Sequence, residues 1–299
     1  MKKTYLTFAI VLAGLLPASA DDFFRQTDAG NNSTGNNWND TGNYFSQPGS
    51  GGTNPTQMTG NDFFNAGFNV RASGGNSASS TTFAGDSLNL DGGSLLLRVG
   101  DGGTATVANL TSDGTTILSN DNNASITMTL AVNTFTNNEL TLFNANTGTD
   151  TGIFVDIDTL VGSGGFEFVS TAGNGAQRFV ELSVLDATGF SGDLTWMDDP
   201  GNNDAVQLRF GNDLVMEGSS LIAAGDNQIN LDQDVTFGGL SLDGDTLAVG
   251  TYDFAFLNAN YDSLFVDGGS GSITVVPEPA TGALVLGGLG LLAWRRRRG

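Results

Sequence analysis

Thirty-two acidic side chains and a complete absence of histidine and cysteine decide at the outset which chemistry this chain can perform. Without a thiol there is no disulfide framework and no thiolate metal site. Without an imidazole, the commonest general base and the commonest zinc ligand are missing together, and a Ser-His-Asp triad is excluded on the same ground. Carboxylate chemistry remains. Asp156/Asp158, Asp198/Asp199, Asp232/Asp234 and Asp243/Asp245 stand in close pairs, and paired carboxylates serve glycosidases and calcium sites. Their settings argue for simpler roles. Asp156 and Asp158 alternate with Val155 and Ile157, which puts them on the solvated face of a strand, and Asp243-Gly244-Asp245 reads as a turn. No calcium nonapeptide follows Gly92-Gly93, Gly102-Gly103 or Gly164-Gly165, and neither an EF-hand loop nor a glycine-rich phosphate loop with its lysine is present. The expectation is a chain with no catalytic residue, no metal and no cofactor.

Two binding chemistries stay open beside that expectation. Trp38, Tyr44, Trp196, Tyr252 and Tyr261, read as surface aromatics, could stack on sugar rings, with packing or capping as their ordinary alternative. The carboxylates could hold calcium. A carbohydrate- or calcium-binding surface module is therefore the alternative reading, and a polysaccharide-degrading enzyme the remote one. The latter needs clustered cations to neutralise uronate, whereas the arginines here are scattered.

The charge is lopsided along the chain. Lys2 and Lys3 open it, and Arg295, Arg296, Arg297 and Arg298 close it. Between them lie only Arg25, Arg71, Arg98, Arg178 and Arg209, against every acidic residue except Glu278. Such a body repels phosphate backbones, so nucleic acid is excluded as a partner.

The two ends look like addresses. Residues 1–20 run from the two lysines through an apolar stretch to Pro17-Ala18-Ser19-Ala20. That is the layout of a secretory signal peptide cut after Ala20, with Ala18 and Ala20 as the small cleavage-site residues. At the other end, Pro277-Glu278-Pro279 precedes an uncharged segment, residues 280–294, and then the four arginines. As a helix rising ~1.5 Å per residue this segment is about 22 Å long, short of a ~30 Å hydrocarbon core. Trp294 suits the interface, and the arginines suit the cytoplasmic side. The chain is thus expected to be held in the inner membrane with everything before Pro277 outside.

Motif, apolar span and basic tail in this order resemble the PEP-CTERM sorting signal. The resemblance implies recognition and processing near Pro277, Glu278 and Pro279 by an exosortase, a membrane transpeptidase. It also implies delivery to the cell surface or the extracellular matrix, in association with exopolysaccharide or biofilm. Leu240-x-Leu242, Leu247-Ala248-Val249-Gly250-Thr251-Tyr252 and Gly269-Ser270-Gly271-Ser272-Ile273-Thr274-Val275 are similar to the stretch that precedes this signal in autotransporter-like passengers. Asn37-Trp38-Asn39-Asp40 is similar to the opening of such passengers.

The elements that must position these residues are short strands. Leu88-x-Leu90, Ile126-x-Met128-x-Leu130, Ile153-x-Val155-x-Ile157, Val180-x-Leu182-x-Val184 and Val206-x-Leu208-x-Phe210 alternate with the two-residue period of a strand. Asp91-Gly92-Gly93, Asp101-Gly102-Gly103 and Asp113-Gly114 punctuate them as turns. No stretch between residues 21 and 276 shows a helical period, and no exact repeat length stands out. The fold expected is all-β, a right-handed parallel β-helix, with a β-sandwich or jelly roll as the alternative. Four regions follow: signal peptide 1–20, N-terminal cap region 21–80, solenoid passenger 81–276 and sorting signal 277–299.

Overall fold

The computed structural model describes residues 21–25, 38–47, 52–73, 80–120, 126–144, 152–169, 178–197, 206–225 and 228–277. Consecutive strands alternate between two sheets. Asn61–Phe64, Ser87–Asp91, Gly103–Gly114, Thr127–Asn137, Gly152–Gly162, Arg178–Phe190 and Val206–Phe210 build the first. Val70–Ser73, Ser94–Arg98, Thr116–Asn120, Thr141–Asn144, Phe166–Val169, Leu194–Met197, Leu214–Ala224 and Asp234–Leu242 build the second. Each pairs in parallel with its counterpart one coil away. A parallel ladder between every second strand is a β-solenoid. The sandwich alternative requires antiparallel neighbours and is excluded. Antiparallel pairing is confined to the ends, where Asp21–Arg25 meets Tyr44–Phe45 and Gly250–Asp253 meets Ser272–Val275. The strands at 61–64 and 70–73 already belong to the two sheets, so part of the region 21–80 is built into the ladders.

A coil length does exist, although the sequence hides it. Thr127 pairs with Gly152 and Thr141 with Phe166, a step of 25 residues in both sheets. The step then lengthens to 27 at Gly152–Phe179 and 28 at Arg178–Val206, and shortens to 21 at Gln207–Gln228. Part of the excess is taken up by an irregularity between Thr159 and Val161. The ladder tolerates these changes because only paired residues must match; connecting segments are free to vary in length.

In-register stacking turns each inward position into a column. Val70, Leu95, Leu118, Phe143, Phe168, Trp196, Ala223 and Leu242 follow one another through the second sheet, and all are buried. Phe143 and Phe168 stack with ring centroids 5.3 Å apart, and Trp196 continues the pile at 5.3 Å from Phe168. Phe23, Phe63, Leu88, Leu110, Phe135 and Leu160 form a matching column in the first sheet.

The long strands of the first sheet do not keep one phase. In Gly103–Gly114, Thr127–Asn137 and Gly152–Gly162 the inward positions jump by three residues, from Val107 to Leu110, Val132 to Phe135 and Ile157 to Leu160. Two outward residues in succession swing the strand round a corner, so a single strand lines two walls. At the next corner the turns of adjacent coils lie nearly in contact. Gly162 has φ 108°, and a Cβ on Gly164 would collide with the Glu139 backbone. Asn137 fills this corner from inside. Its Nδ2 donates to the Gly164 carbonyl at 2.6 Å, while its Oδ1 accepts from Thr141 Oγ1 at 2.7 Å. A buried amide here satisfies turn groups that no strand can reach.

Both ends are closed. At the first, Tyr44 and Phe63 meet edge to face at 4.7 Å, Phe63 and Phe83 do so at 5.6 Å, and Trp38 leans on Phe83 at a tilt with centroids 5.5 Å apart. At the second, a helix that sequence periodicity did not reveal, Phe254–Asn260, and the 3-10 turn Asp262–Leu264 bring Leu257, Leu264 and Phe265 over the last coil. Seven residues are too few to display a helical period. The start is set instead by Asp253, which accepts the Phe256 N–H at 2.8 Å as an N-cap.

Replacing Phe143 by Ala interrupts the aromatic column and should cost about 3–5 kcal/mol, read as a lower urea midpoint. Gly164→Val should be at least as damaging, because the added carbons must displace backbone rather than a side chain; equal stability of either variant with wild type would contradict the stacking described.

Candidate functional site

The carboxylates do not converge. Asp156 and Asp158 are exposed and point outward from their strand, as their alternation implied. Asp243 and Gly244 take φ values of 49° and 87° in a two-residue hairpin loop, the conformation for which Asp-Gly is suited. Asp198 and Asp199 lie outside the described residues. Asp234 is held by Asp213 and Ser272: its N–H donates to Asp213 Oδ1 at 3.0 Å, and it accepts from Ser272 Oγ at 2.8 Å. This last arrangement recurs. Asp86 accepts the Gly60 N–H at 2.8 Å, Asp91 the Gly67 N–H at 3.0 Å, Asp101 the Thr127 N–H at 2.9 Å and Asp193 the Ser220 N–H at 2.9 Å. Each bond joins one coil to a neighbour at a turn, where backbone donors leave the ladder. Among the described residues, no group of three or more acidic side chains could hold a metal ion.

The aromatics expected at the surface are largely inside. Trp38, Tyr44 and Trp196 have no exposed surface, because the first two close the N-terminal end and the third belongs to the aromatic column. Tyr252 and Tyr261 are half-buried against the core. Burial pushes the Tyr44 hydroxyl up to about 12, with the Arg25 guanidinium, 5.8 Å from its ring centroid, opposing the shift. Arg25, Arg71 and Arg178 are likewise buried, at 1%, 2% and 3% exposure. The described surface is therefore more anionic than the sequence count suggests.

One outward cluster combines rings and charge. Phe154 and Phe179 meet edge to face at 5.3 Å, and the Arg209 guanidinium lies 3.9 Å from the Phe179 ring centroid. Gly152 makes room for that ring, since a Cβ there would overlap it. Arg209 donates to Gln207 Oε1 from Nη2 at 2.8 Å. Its register partner Glu181 has a carboxyl raised above the usual range, chiefly by burial and against the pull of Arg209. Burial also lowers Arg209.

A groove of about 540 Å³ opens between residues 187–191 and residues 215–218. No ladder joins the strands Arg178–Phe190 and Leu214–Ala224, which belong to different sheets. Asn212 bridges the gap by side chain, accepting from the Val184 N–H at 3.0 Å and donating to its carbonyl at 2.9 Å. Of the lining residues Glu217 alone is titratable, so the groove lacks the second carboxylate that glycoside hydrolysis uses.

The chain leaves the fold at the C-terminal end. Ser272–Val275 is clamped between Gly250–Asp253 and Asp234–Leu242. Val276 N–H donates to the Phe237 carbonyl at 2.9 Å, and Pro277, the next residue, is exposed. The remaining sorting residues, Glu278, Pro279, Arg295, Arg296, Arg297 and Arg298, lie outside the described residues, as do Ala18 and Ala20. No described helix is long and apolar enough to cross a membrane; the apolar segment 280–294 is not among the described residues.

Fold and exit together define a capped β-solenoid whose last strand runs directly into a C-terminal tail. That tail matches the PEP-CTERM protein-sorting motif over residues 275–298, which marks the chain as an exported protein sorted by exosortase. No curated protein and no solved structure matches the chain. Sequence reasoning located the motif but missed what surrounds it. Val249 is 61% and Phe256 44% exposed; the pairing of Gly250 with Val275 brings Val249 to the exit, and Phe256 packs on Tyr252 of the same strand.

Glu181 supplies a pH test. Its folded pKa lies above its unfolded value, so its favourable contribution is complete below the ordinary carboxylate range and is lost as pH rises through the raised value. Glu181→Gln should therefore gain stability relative to wild type at neutral pH and lose that advantage near pH 3. Urea midpoints at both pH values check this; an advantage independent of pH would refute it.

Proposed function

We propose that this protein is a non-enzymatic structural component of the cell surface or extracellular matrix: an acidic β-solenoid rod, exported, held in the inner membrane by residues 280–294 and released or transferred by exosortase. The sorting motif at the exit of a closed solenoid carries this reading. Residues 277–279 are the recognition element, Arg295, Arg296, Arg297 and Arg298 keep the tail's end in the cytoplasm, and Ala18 and Ala20 mark the leader cut. The disposition of the carboxylates supports a structural role. They link coils and face solvent, and the groove between residues 187–191 and 215–218 holds a single titratable side chain. Association with exopolysaccharide would then rest on neutral hydroxyl and carboxylate contacts along the walls, since Arg25, Arg71 and Arg178 are buried and withdrawn from any anionic polymer.

Replacing Pro277-Glu278-Pro279 with three alanines should leave full-length, leader-cleaved protein in the membrane fraction, where wild type yields a shortened product. Processing of the triple variant at the wild-type rate would remove this reading. Incubation of the purified protein with pectin- and alginate-type polymers should give no new reducing or unsaturated ends, and robust turnover would overturn the non-enzymatic part.

A further inference from the structure

The sorting match begins at Val275, inside the last strand of the fold rather than after it. Val275 is 3% exposed and pairs with both Phe237 and Gly250. The final backbone bond, from Val276 N–H to the Phe237 carbonyl at 2.9 Å, stands one residue before Pro277. The folded body and the start of the motif thus share residues, and no spacer separates them. Any enzyme that grips Pro277 must lie against the C-terminal cap.

That part of the cap exposes two of the four large apolar side chains found at the described surface, Val249 and Phe256. Antiparallel register sets Gly250 against Val275, so that Val249 and Val276, the neighbouring residues on the two segments, leave the ladder at the same edge. Val249 is 61% exposed. One turn further, Phe256 is 44% exposed and leans on Tyr252 with ring centroids 5.3 Å apart. Tyr252 is in turn anchored to this edge by a 2.7 Å bond from its hydroxyl to the Ala248 carbonyl. The cap segment 243–267 that carries this edge holds Asp243, Asp245, Asp253, Asp262 and Asp267 and no lysine or arginine. An anionic bilayer surface is repelled by such a border. A protein face carrying an apolar contact ringed by basic side chains fits it.

We infer that the rim formed by Val249, Val276, Pro277 and Phe256 is a docking surface for the sorting enzyme, so that exosortase recognises the folded cap together with the linear motif. This rests on the sorting reading above. It makes processing depend on folding: an unfolded cargo presents the motif without the rim.

The test measures processing of the full-length protein by co-expressed exosortase in a pulse-chase. Val249→Asp and Phe256→Ser, both at exposed positions, should slow processing at least fivefold while leaving the thermal transition in place. Leu185→Ser, at a 75% exposed apolar position away from the exit, should be processed at the wild-type rate. Inserting eight Gly/Ser residues between Val276 and Pro277, which lets the motif drift up to ~26 Å from the rim, should also slow it. If the rim variants and the insertion are processed like wild type while the triple-alanine variant is not, the docking surface is overturned and the sorting reading stands. If the triple-alanine variant is also processed normally, both fall. Rim variants that are slow with enzyme in lipid vesicles but normal with enzyme in neutral detergent would assign the rim to the bilayer and overturn the inference.

Discussion

Parallel pairing in register is the constraint from which the rest of this structure descends. Each coil rises by one strand spacing, about 4.8 Å, so every residue rests on its counterpart in the coil below. Inward positions become continuous columns, and a column admits side chains that pack on the apolar neighbours above and below. Phe143 and Phe168 do so by stacking with centroids 5.3 Å apart, and Trp196 by a tilted contact at the same distance from Phe168. The same spacing brings turn upon turn at the corners. There a Cβ has nowhere to go, which is why Gly164 lies against the Glu139 backbone and why a buried Asn137 supplies the hydrogen bonds that the turns cannot make among themselves.

Register also governs the charge. Identical acidic positions on successive coils would sit about 5 Å apart and repel. Asp22 and Asp62 are the one such pair among the described ladder partners; several other carboxylates lie at turns, where Asp86, Asp91, Asp101 and Asp193 each accept a backbone N–H from another coil. Acidity is thus part of the scaffold as well as the source of solubility. Cations are handled in the opposite way. Arg25, Arg71 and Arg178 are drawn inside, and Arg209 lies across Phe179 beside Glu181. The described exterior keeps only Arg98 and Arg209 as partly exposed cations, with exposed large apolar side chains at Leu185, Val215, Val249 and Phe256.

A stack of coils has two open ends, and each is closed by a local departure from the repeat. The aromatic cluster around Phe63 seals one; the short helix and its following turn seal the other. The second closure has a consequence beyond stability. Because the chain must return from the cap to pair with Asp234–Leu242 before leaving, its last ladder residues are the first residues of the sorting motif. Cargo and address are physically continuous.

The sequence by itself determined the all-β class, the outward placement of Asp156 and Asp158, the Asp243-Gly244 turn and the sorting motif, since each is written in neighbouring residues: a two-residue period, an Asp-Gly pair, a Pro-Glu-Pro triplet. It did not disclose the coil length, because pairing fixes only the ladder residues and steps of 25, 28 and 21 coexist in one stack. Nor did it tell that Trp38, Tyr44 and Trp196 are interior, or that Leu185, following the inward run Val180-x-Leu182-x-Val184, is 75% exposed. Alternation names two faces; only the packing of neighbouring coils decides where a strand turns its corner and which face is then inside. The rim at the exit is of the same kind. Val249 and Val276 are separated along the chain and reach one edge only because an antiparallel strand folds Gly250 onto Val275, and Phe256 joins that edge through Tyr252.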